Sequence, residues 1–269
     1  MVTEPSPLSA PIEHGSKTRM QHQHRVRLVT GAAIAAAYAR DGAAVGLVDF
    51  DAPAAAALAQ RLTSAGHSVH FAAANVGRYA DCDAAWRSVE AALGPIDTLV
   101  NNAGISPKQG GQPAPVWQMA PAEWLRVVDV NLNSAFNLVR LLAPGAVERR
   151  FGRIVAMSSV AGKATLDIAA AHYATIKAAL IGMPRHLAGE LGPHGITVNA
   201  LAPGRIDTPM VAGAPGCGQR GGRRRDAAAP SRPARRGRAS LSVPQLKAGR
   251  LHHRAGDRRG RRLVDDLMT

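Results

Sequence analysis

The chain has 269 residues, which is long enough for one large α/β domain with a substantial core. Aromatic residues make up only 4% of the sequence, and alanine and glycine supply much of its apolar content, so helices packed on a sheet are favoured over a β sandwich. No apolar run is long enough to cross a bilayer, and Cys82 and Cys217 match no metal-binding spacing. We expect a cytoplasmic protein without a metal, with residues 1–24 as a disordered extension.

Positive charge is concentrated near the end of the chain. The formal net charge is +14, but residues 216–262 alone hold 14 arginines, one lysine and two aspartates, a net of +13. The rest of the chain is therefore nearly neutral, which argues against a folded face that binds nucleic acid. The arginine-rich run shows no hydrophobic periodicity, so residues 216–269 are predicted to be a disordered basic segment.

Apolar runs and helical patterns alternate between residues 25 and 201. Strands are predicted at Arg25–Thr30, Ala43–Val48, Ser68–Ala72, Ile96–Val100, Arg153–Met157 and Ile196–Leu201. Helices are predicted at Gly31–Arg40, Pro53–Ala65, Asp81–Leu93 and Ala169–Leu191, with a long helix that begins at Pro121. This alternation predicts a doubly wound parallel sheet between two helical layers, formed by a single domain over residues 25–215.

Polar and glycine residues recur at and after the predicted strand ends. In chain order they are Asp49, Asn101–Gly104, Asn131, Ser159, the pair Tyr173 and Lys177, and Pro203–Gly204 followed by Thr208. In an open α/β sheet, ligands bind in the crevice outside the carboxyl ends of the strands. The pattern therefore predicts a nucleotide site with chemistry built beside it.

Tyr173 and Lys177 lie four residues apart on a predicted helix and therefore share one face. A free tyrosine has a pKa of about 10, and a neighbouring ammonium lowers this pKa because it favours the phenolate. The pair can then transfer a proton to or from a carbinol oxygen. The alternative, which the spacing alone favours, is a surface tyrosine beside a solvated lysine.

Two further polar residues have open alternatives. Ser159 follows a predicted strand and can hold a substrate oxygen by a hydrogen bond; a serine that only caps the turn is the alternative, and Ser158 competes for the role. Asn131 lies within a predicted helix, where asparagine is disfavoured. It either holds a water at a helix kink or is a tolerated buried amide.

Two positions suit a nucleotide. Gly104 allows the backbone to approach a ligand closely. Asp49 ends the second strand, where a carboxylate can accept both ribose hydroxyls of an adenosine. The alternative is that Asp49 caps the next helix, a role for which Asp51 is better placed.

Over residues 25–215 the chain resembles the short-chain dehydrogenase/reductase family, in its single-domain type, and is similar to its 3-oxoacyl-carrier-protein-reductase-like members. The family's Asn-Asn-Ala-Gly motif, catalytic asparagine and serine, Tyr-x-x-x-Lys motif and Pro-Gly turn with a following threonine match Asn101–Gly104, Asn131, Ser159, Tyr173 with Lys177, and Pro203–Gly204 with Thr208. The resemblance implies a Rossmann-like fold and hydride transfer between NAD(P) and a secondary alcohol or ketone. It also implies a small-molecule substrate and a homodimer or homotetramer, with neither a membrane nor a specific nucleic acid as partner.

The resemblance also assigns roles. Tyr173 is the acid and base, Lys177 tunes it and binds the nicotinamide ribose, Ser159 positions the substrate oxygen, and Asn131 supports the proton relay. The cofactor-binding residues that it implies are Thr30, Gly31, Asp49, Asn75, Val76, Asn102, Ala103, Gly104, Tyr173, Lys177, Pro203, Gly204 and Thr208. NAD is favoured over NADP, because a 2′-phosphate would meet the Asp49 carboxylate and Phe50 supplies no compensating cation.

The chain departs from the family pattern at several positions. The phosphate loop Thr-Gly-x-x-x-Gly-x-Gly is absent, as if about six residues were deleted after Ala33. Asn75 stands where the family usually has aspartate, and Ser159 and Tyr173 are one residue further apart than expected. Pro184 falls inside the last predicted helix and is expected to kink or weaken it.

The arginine-rich end is interpreted as the product of a shifted reading frame. Read one base later, the codons of residues 251–259 allow Tyr-Ile-Thr-Gly-x-Val-Ile-x-Val, which resembles the last strand of the family. Two functional hypotheses follow. The first is an NAD(P)-dependent alcohol dehydrogenase or ketone reductase, impaired as written; the second is a non-catalytic remnant of the fold whose basic tail binds nucleic acid non-specifically.

Overall fold

The computed structural model describes residues 25–204. Predictions for residues 1–24, for Thr208 and for the arginine-rich segment from residue 216 lie outside them. The strands are β1 Val26–Thr30, β2 Ala44–Asp49, β3 Val69–Ala73, β4 Ile96–Asn101, β5 Gly152–Met157 and β6 Ile196–Leu201. The α-helices are α1 Ala32–Arg40, α2 Ala52–Ser64, α3 Tyr79–Leu93, α4 Pro121–Val128, α5 Ser134–Glu148 and α6 Ala171–Leu191. None of these described helices is long and apolar enough to cross a membrane.

The six strands form one parallel sheet in the order β3-β2-β1-β4-β5-β6. Val29 of β1 pairs with Leu47 of β2 on one side and with Val100 of β4 on the other. The strand order reverses between β1 and β4, which is the switch point at which such sheets bind ligands. The predicted doubly wound sheet is confirmed.

Alternate strand residues belong to two separate apolar clusters. Val29 and Leu47 pack with α1 and α2, whereas Leu28 and Val48 pack with α3 and α5. Because successive side chains of a strand point to opposite faces, the two clusters lie on the two faces of the sheet. The predicted three-layer α/β/α arrangement is confirmed.

The long helix predicted from Pro121 consists of three parts. α4 and α5 are joined by a π-helical turn at Asp129–Asn133, and this turn carries Asn131. A π turn inserts one extra residue into a helix and is frequent at functional sites. The kink expected at Pro184 did not divide the next helix, since α6 is continuous and Pro184 is buried within it.

Candidate active site

The predicted site residues that end or follow strands lie at the carboxyl edge of the sheet. β1 ends at Thr30, β2 at Asp49 and β4 at Asn101, while Ser159 and Pro203 follow β5 and β6. Because all six strands are parallel, these ends lie along one edge of the sheet. The prediction that these positions follow strand ends is therefore confirmed.

Thr30 joins the ends of β1 and β4. Its hydroxyl accepts hydrogen bonds from the backbone N–H groups of Asn102 and Ala103, at 2.8 and 2.7 Å. The Asn102 amide donates in turn to the Thr30 carbonyl at 3.0 Å. Thr30 has no exposed surface, and its assignment as a cofactor contact stays a prediction. Thr30 holds the Asn-Asn-Ala-Gly turn against β1.

A single residue, Gly31, connects β1 to α1. Its φ of +121° is one that L side chains avoid, and a Cβ on Gly31 would lie 2.4 Å from Nδ2 of Asn102. Gly31 is therefore required where the chain passes Asn102. No side chain caps α1, and its first two residues, Ala32 and Ala33, are exposed.

Asn131 holds the chain that follows β4. Its Oδ1 accepts from the Ile105 N–H at 2.7 Å, and its Nδ2 donates to the Ile105 carbonyl at 2.9 Å. Asn131 is only 1% exposed, so these two bonds satisfy an amide that would otherwise be buried unpaired. The side chain clamps the backbone beside Gly104, and the relay role stays a prediction.

The structure separates the two serines that compete in sequence. The hydroxyl of Ser159 accepts from the Ala161 N–H at 3.2 Å, and interaction with Ser159 acts to lower the pKa of Tyr173. The hydroxyl of Ser158 is buried and donates to the backbone carbonyl of Lys177. Ser159 is therefore the serine beside the candidate acid, and Ser158 fixes α6 against the turn after β5.

Lys177 is buried beside Tyr173. Its Nζ donates to the Met157 carbonyl at 2.7 Å and lies 5.4 Å from the centroid of the Tyr173 ring. Burial disfavours the ammonium and lowers the pKa of Lys177 from its ordinary value of 10.5 to about 8. A Cβ on Gly162 would lie 2.4 Å from the backbone carbon of Lys177, so glycine lets the turn after β5 pack on α6.

The pKa of Tyr173 is raised above its ordinary value of 10.0, because burial disfavours the phenolate. The hydrogen bond with Ser159 opposes this shift without reversing it. The expectation of a lowered pKa for Tyr173 is therefore wrong in its net direction. At neutral pH the residue is a phenol, which can donate a proton.

Lys177→Met is expected to stabilise the fold at pH 7 by on the order of 2 kcal/mol, because it removes a buried charge at the loss of one hydrogen bond. In the unfolded chain Lys177 keeps its proton up to about pH 10.5, but in the fold only up to about pH 8. The free energy of unfolding of the protein with Lys177 should therefore increase as the pH rises between these two values. The Met variant should lack this increase, because it has no ionisable group at position 177.

Urea unfolding of both proteins at pH 7 and pH 10 checks the Lys177 prediction. Lys108→Met, at a half-buried lysine in the segment after β4, is the matched control. An equal gain in stability between the two pH values in all three proteins would show that the buried charge of Lys177 does not destabilise the fold.

The two aspartates after β2 divide their roles as the sequence suggests. Asp51 is the N-cap of α2 and accepts from the Ala54 N–H at 3.3 Å. Asp49 is half-buried, and its Oδ1 accepts from the Asp51 N–H at 3.1 Å. Asp49 is therefore not the cap, which leaves its carboxylate at the sheet edge.

The remaining predicted residues also lie at this edge. Asn75 follows β3 and its Oδ1 accepts from the Gly77 N–H at 3.1 Å, while Val76 is only 6% exposed. The carbonyl of Pro203 accepts from the Val160 N–H at 3.1 Å, which brings Pro203 and Gly204 beside the turn that carries Ser159.

One pair that the sequence did not suggest joins α4 to α6. His172 is fully buried, and its Nε2 lies 3.0 Å from Oε1 of Glu123. The hydrogen bond with His172 is the largest cause of a pKa of Glu123 below its ordinary value. The two residues are 49 positions apart, and no periodic pattern relates them. Only the packing of α4 on α6 reveals the pair.

Comparison with known proteins identifies one matching family and several similar proteins. The profile of the family described as short chain dehydrogenase matches residues 28–215. Nodulation protein G of Azospirillum brasilense is 40% identical over 196 residues, which cover 70% of this chain and 76% of that protein.

Two solved structures resemble the chain along most of its length. A 3-oxoacyl-[acyl-carrier protein] reductase with bound NAD from Brucella melitensis is 44% identical, with a TM-score of 0.65, and the match covers 78% of this chain and 79% of that one. A gluconate 5-dehydrogenase from Burkholderia cenocepacia J2315, in complex with NADP and tartrate, is 32% identical, with a TM-score of 0.63 and coverage of 69% and 73%. The predicted reaction class, NAD(P)-dependent oxidation and reduction, is confirmed at this level. The chain belongs to the short-chain dehydrogenase family.

Proposed function

We propose that this protein reduces the ketone of a 3-oxoacyl thioester to the secondary alcohol, with NADH as the hydride donor. The observation that carries the proposal is the placement of the half-buried Tyr173 and Ser159 beside the buried Lys177, at the carboxyl edge of the sheet. The matching Brucella structure is named a 3-oxoacyl reductase, which supports the thioester as substrate class.

The side chains of the site suit reduction near neutral pH. Tyr173 is a phenol there, so its Oη can donate a proton to a carbonyl oxygen while the hydroxyl of Ser159 holds that oxygen. Below pH 8 or so Lys177 keeps its proton, and the nearby ammonium stabilises the phenolate left after proton donation. A nicotinamide, when bound, supplies the hydride.

The two ends of the site fit a dinucleotide. The Asp49 carboxylate suits the hydroxyls of an adenosine ribose, and the resemblance implies that Lys177 binds the nicotinamide ribose. Between these ends the fit is poorer, because one glycine and the exposed Ala32 and Ala33 stand in place of a glycine-rich turn. We therefore propose that the chain as written binds the dinucleotide weakly and is an impaired enzyme.

Consumption of NADH, followed by its absorbance with a 3-oxoacyl-CoA thioester, tests the proposed reaction. A plain ketone without the thioester serves as the comparison substrate. The proposal requires that the thioester be reduced and that reduction be faster at pH 7 than at pH 9. A chain that retains no NADH at any concentration would favour the non-catalytic hypothesis instead.

NADH is expected to bind at least about tenfold more tightly than NADPH, because the Asp49 carboxylate repels a 2′-phosphate and the neighbouring Phe50, 79% exposed, offers no cation. Asp49→Asn should remove most of this preference. Asp51→Asn, which keeps a capping residue two positions away, is the matched control and should retain the preference. Fluorescence titration with both dinucleotides gives the ratio, and tighter NADPH binding by the unsubstituted chain would contradict the assignment.

The homodimer or homotetramer implied by the resemblance, and the cytoplasmic setting, remain part of the proposal. Two large apolar side chains, Leu125 on α4 and Phe136 on α5, are 60% and 56% exposed. They are two of several exposed large apolar side chains among the described residues, with Val116 and Trp117 more exposed still, that a second copy of the chain could cover.

A further inference from the structure

Three elements of the site meet at the carboxylate of Glu123. Its Oε2 accepts from Nε2 of Gln109 at 3.3 Å, and its Oε1 is bonded to Nε2 of His172 at 3.0 Å. Gln109 belongs to the segment after β4, Glu123 to the first turn of α4, and His172 immediately precedes Tyr173 in the first turn of α6. The carboxylate therefore links the segment after β4 to the helical turn that carries the candidate acid.

The segment Ile105–Gln112 is held in place at Ile105 and is closed by a tight turn at its other end. Asn131 clamps the backbone of Ile105 through two hydrogen bonds. At the other end, Gln109 and Gln112 exchange backbone hydrogen bonds of 2.8 and 3.1 Å around two glycines with positive φ, which closes a tight hairpin turn. The position of this turn relative to Tyr173 is set through the bond of Gln109 to Glu123.

The chemistry of the pair fixes its geometry. A carboxylate only accepts hydrogen bonds, so Nε2 of His172 carries the hydrogen that is shared with Glu123. His172 Nδ1 is buried and has no hydrogen-bond partner among residues 25–204, so a hydrogen there would be a buried donor without an acceptor. The arrangement thus favours one tautomer and one ring orientation, and hydrogen bonds to an ionised carboxylate are stronger than neutral ones.

We propose that Glu123 and His172 are positioning residues, which hold the segment Ile105–Gln112 against the start of α6 and so set the distance between this segment and Tyr173. The functional part rests on the proposed reductase activity. With the link broken, the segment should move away from Tyr173, so that carbonyl reduction slows while NADH binding is unchanged.

Tryptic cleavage after Lys108 tests the link without reference to activity. Lys108 is half-buried and precedes Gln109, so we expect trypsin to cleave the bond between them more slowly while the segment is held in place. Glu123→Ala and His172→Phe should raise the rate of this cleavage, measured by mass spectrometry, at least tenfold. Glu123→Gln and His172→Gln keep hydrogen-bonding groups and should restore protection, and Glu148→Ala, an exposed glutamate of α5, is the matched control.

Kinetics provide the second readout. Glu123→Ala should lower kcat for the thioester about tenfold and raise its KM, with NADH affinity and far-UV circular dichroism unchanged and with recovery in Glu123→Gln. Unchanged protection of Lys108 in folded Glu123→Ala would overturn the proposal, even if His172→Phe does not fold. Loss of protection in a protein that reduces no carbonyl compound would support the link and overturn the proposed function.

Discussion

Six residues inserted after Ala33, with glycine at the second and fourth inserted positions, are expected to raise NADH affinity at least about 100-fold. With Thr30 and Gly31, this insertion completes the family's Thr-Gly-x-x-x-Gly-x-Gly loop. Backbone N–H groups and the helix dipole at a helix N-terminus favour a pyrophosphate, and glycines let the backbone approach it. Two additional charge-assisted hydrogen bonds are sufficient for the expected gain.

The β1–α1 connection explains why the effect should be large. α1 begins directly after Gly31, so the chain has no turn residues to wrap around a phosphate. Among the alanines at the start of α1, Ala35 is fully buried against the sheet, whereas Ala32 and Ala33 are exposed. The short β1–α1 turn, more than the methyl groups of the alanines, is therefore what weakens binding of the pyrophosphate.

Fluorescence titration with NADH distinguishes four versions of the chain. These are the chain as written, the chain with the insertion, the chain with the insertion and a restored C-terminal reading frame, and a control whose insertion has alanine in place of both glycines. NADH should bind weakly to the first and fourth versions and at least about 100-fold more tightly to the second and third, and reduction should be fastest in the third. Micromolar affinity in the unmodified chain would show that the short connection is no defect.

Tyr173→Phe is expected to lower turnover at least about 100-fold in the version with the completed loop, the usual scale for loss of an acid–base group. Phenylalanine preserves the ring and its packing but removes the hydroxyl that meets Ser159. The loss should appear in kcat, with little change in NADH affinity, because the hydroxyl acts on the carbonyl oxygen. The raised pKa of Tyr173 predicts that reduction persists through neutral pH and declines on the alkaline side.

Tyr79→Phe is the matched control for this experiment, since Tyr79 is 41% exposed on α3. Steady-state kinetics with the thioester, together with NADH titration, separate a loss of chemistry from a loss of cofactor binding. Near-normal turnover in Tyr173→Phe would remove Tyr173 from the proposed reaction.

The order of the elements and the residues at the strand ends could be predicted from the amino-acid sequence. Alternating apolar runs and helical periods located β1 to β6, because strands covered on both faces of a sheet are short apolar runs and helices covered on one side have a period near 3.6 residues. The choice of Asp51 over Asp49 as a helix cap was also readable, since capping depends on residues close in sequence.

Tertiary structure alone decided which polar groups meet across long separations. Thr30 is buried against the turn after β4, Ser158 donates to the backbone of α6, Ser159 interacts with Tyr173, and His172 is hydrogen-bonded to Glu123. None of these contacts follows from local periodicity.

The pKa shifts of Tyr173 and Lys177 also depend on the tertiary structure. Burial lowers the pKa of Lys177 to about 8 and raises that of Tyr173, and the degree of burial is set by how α6 packs on β5 and β6. Spacing places Tyr173 and Lys177 on one helix face, but it does not determine how far water is excluded from them. Desolvation, which depends on the whole surroundings of a group, therefore set the direction of both shifts.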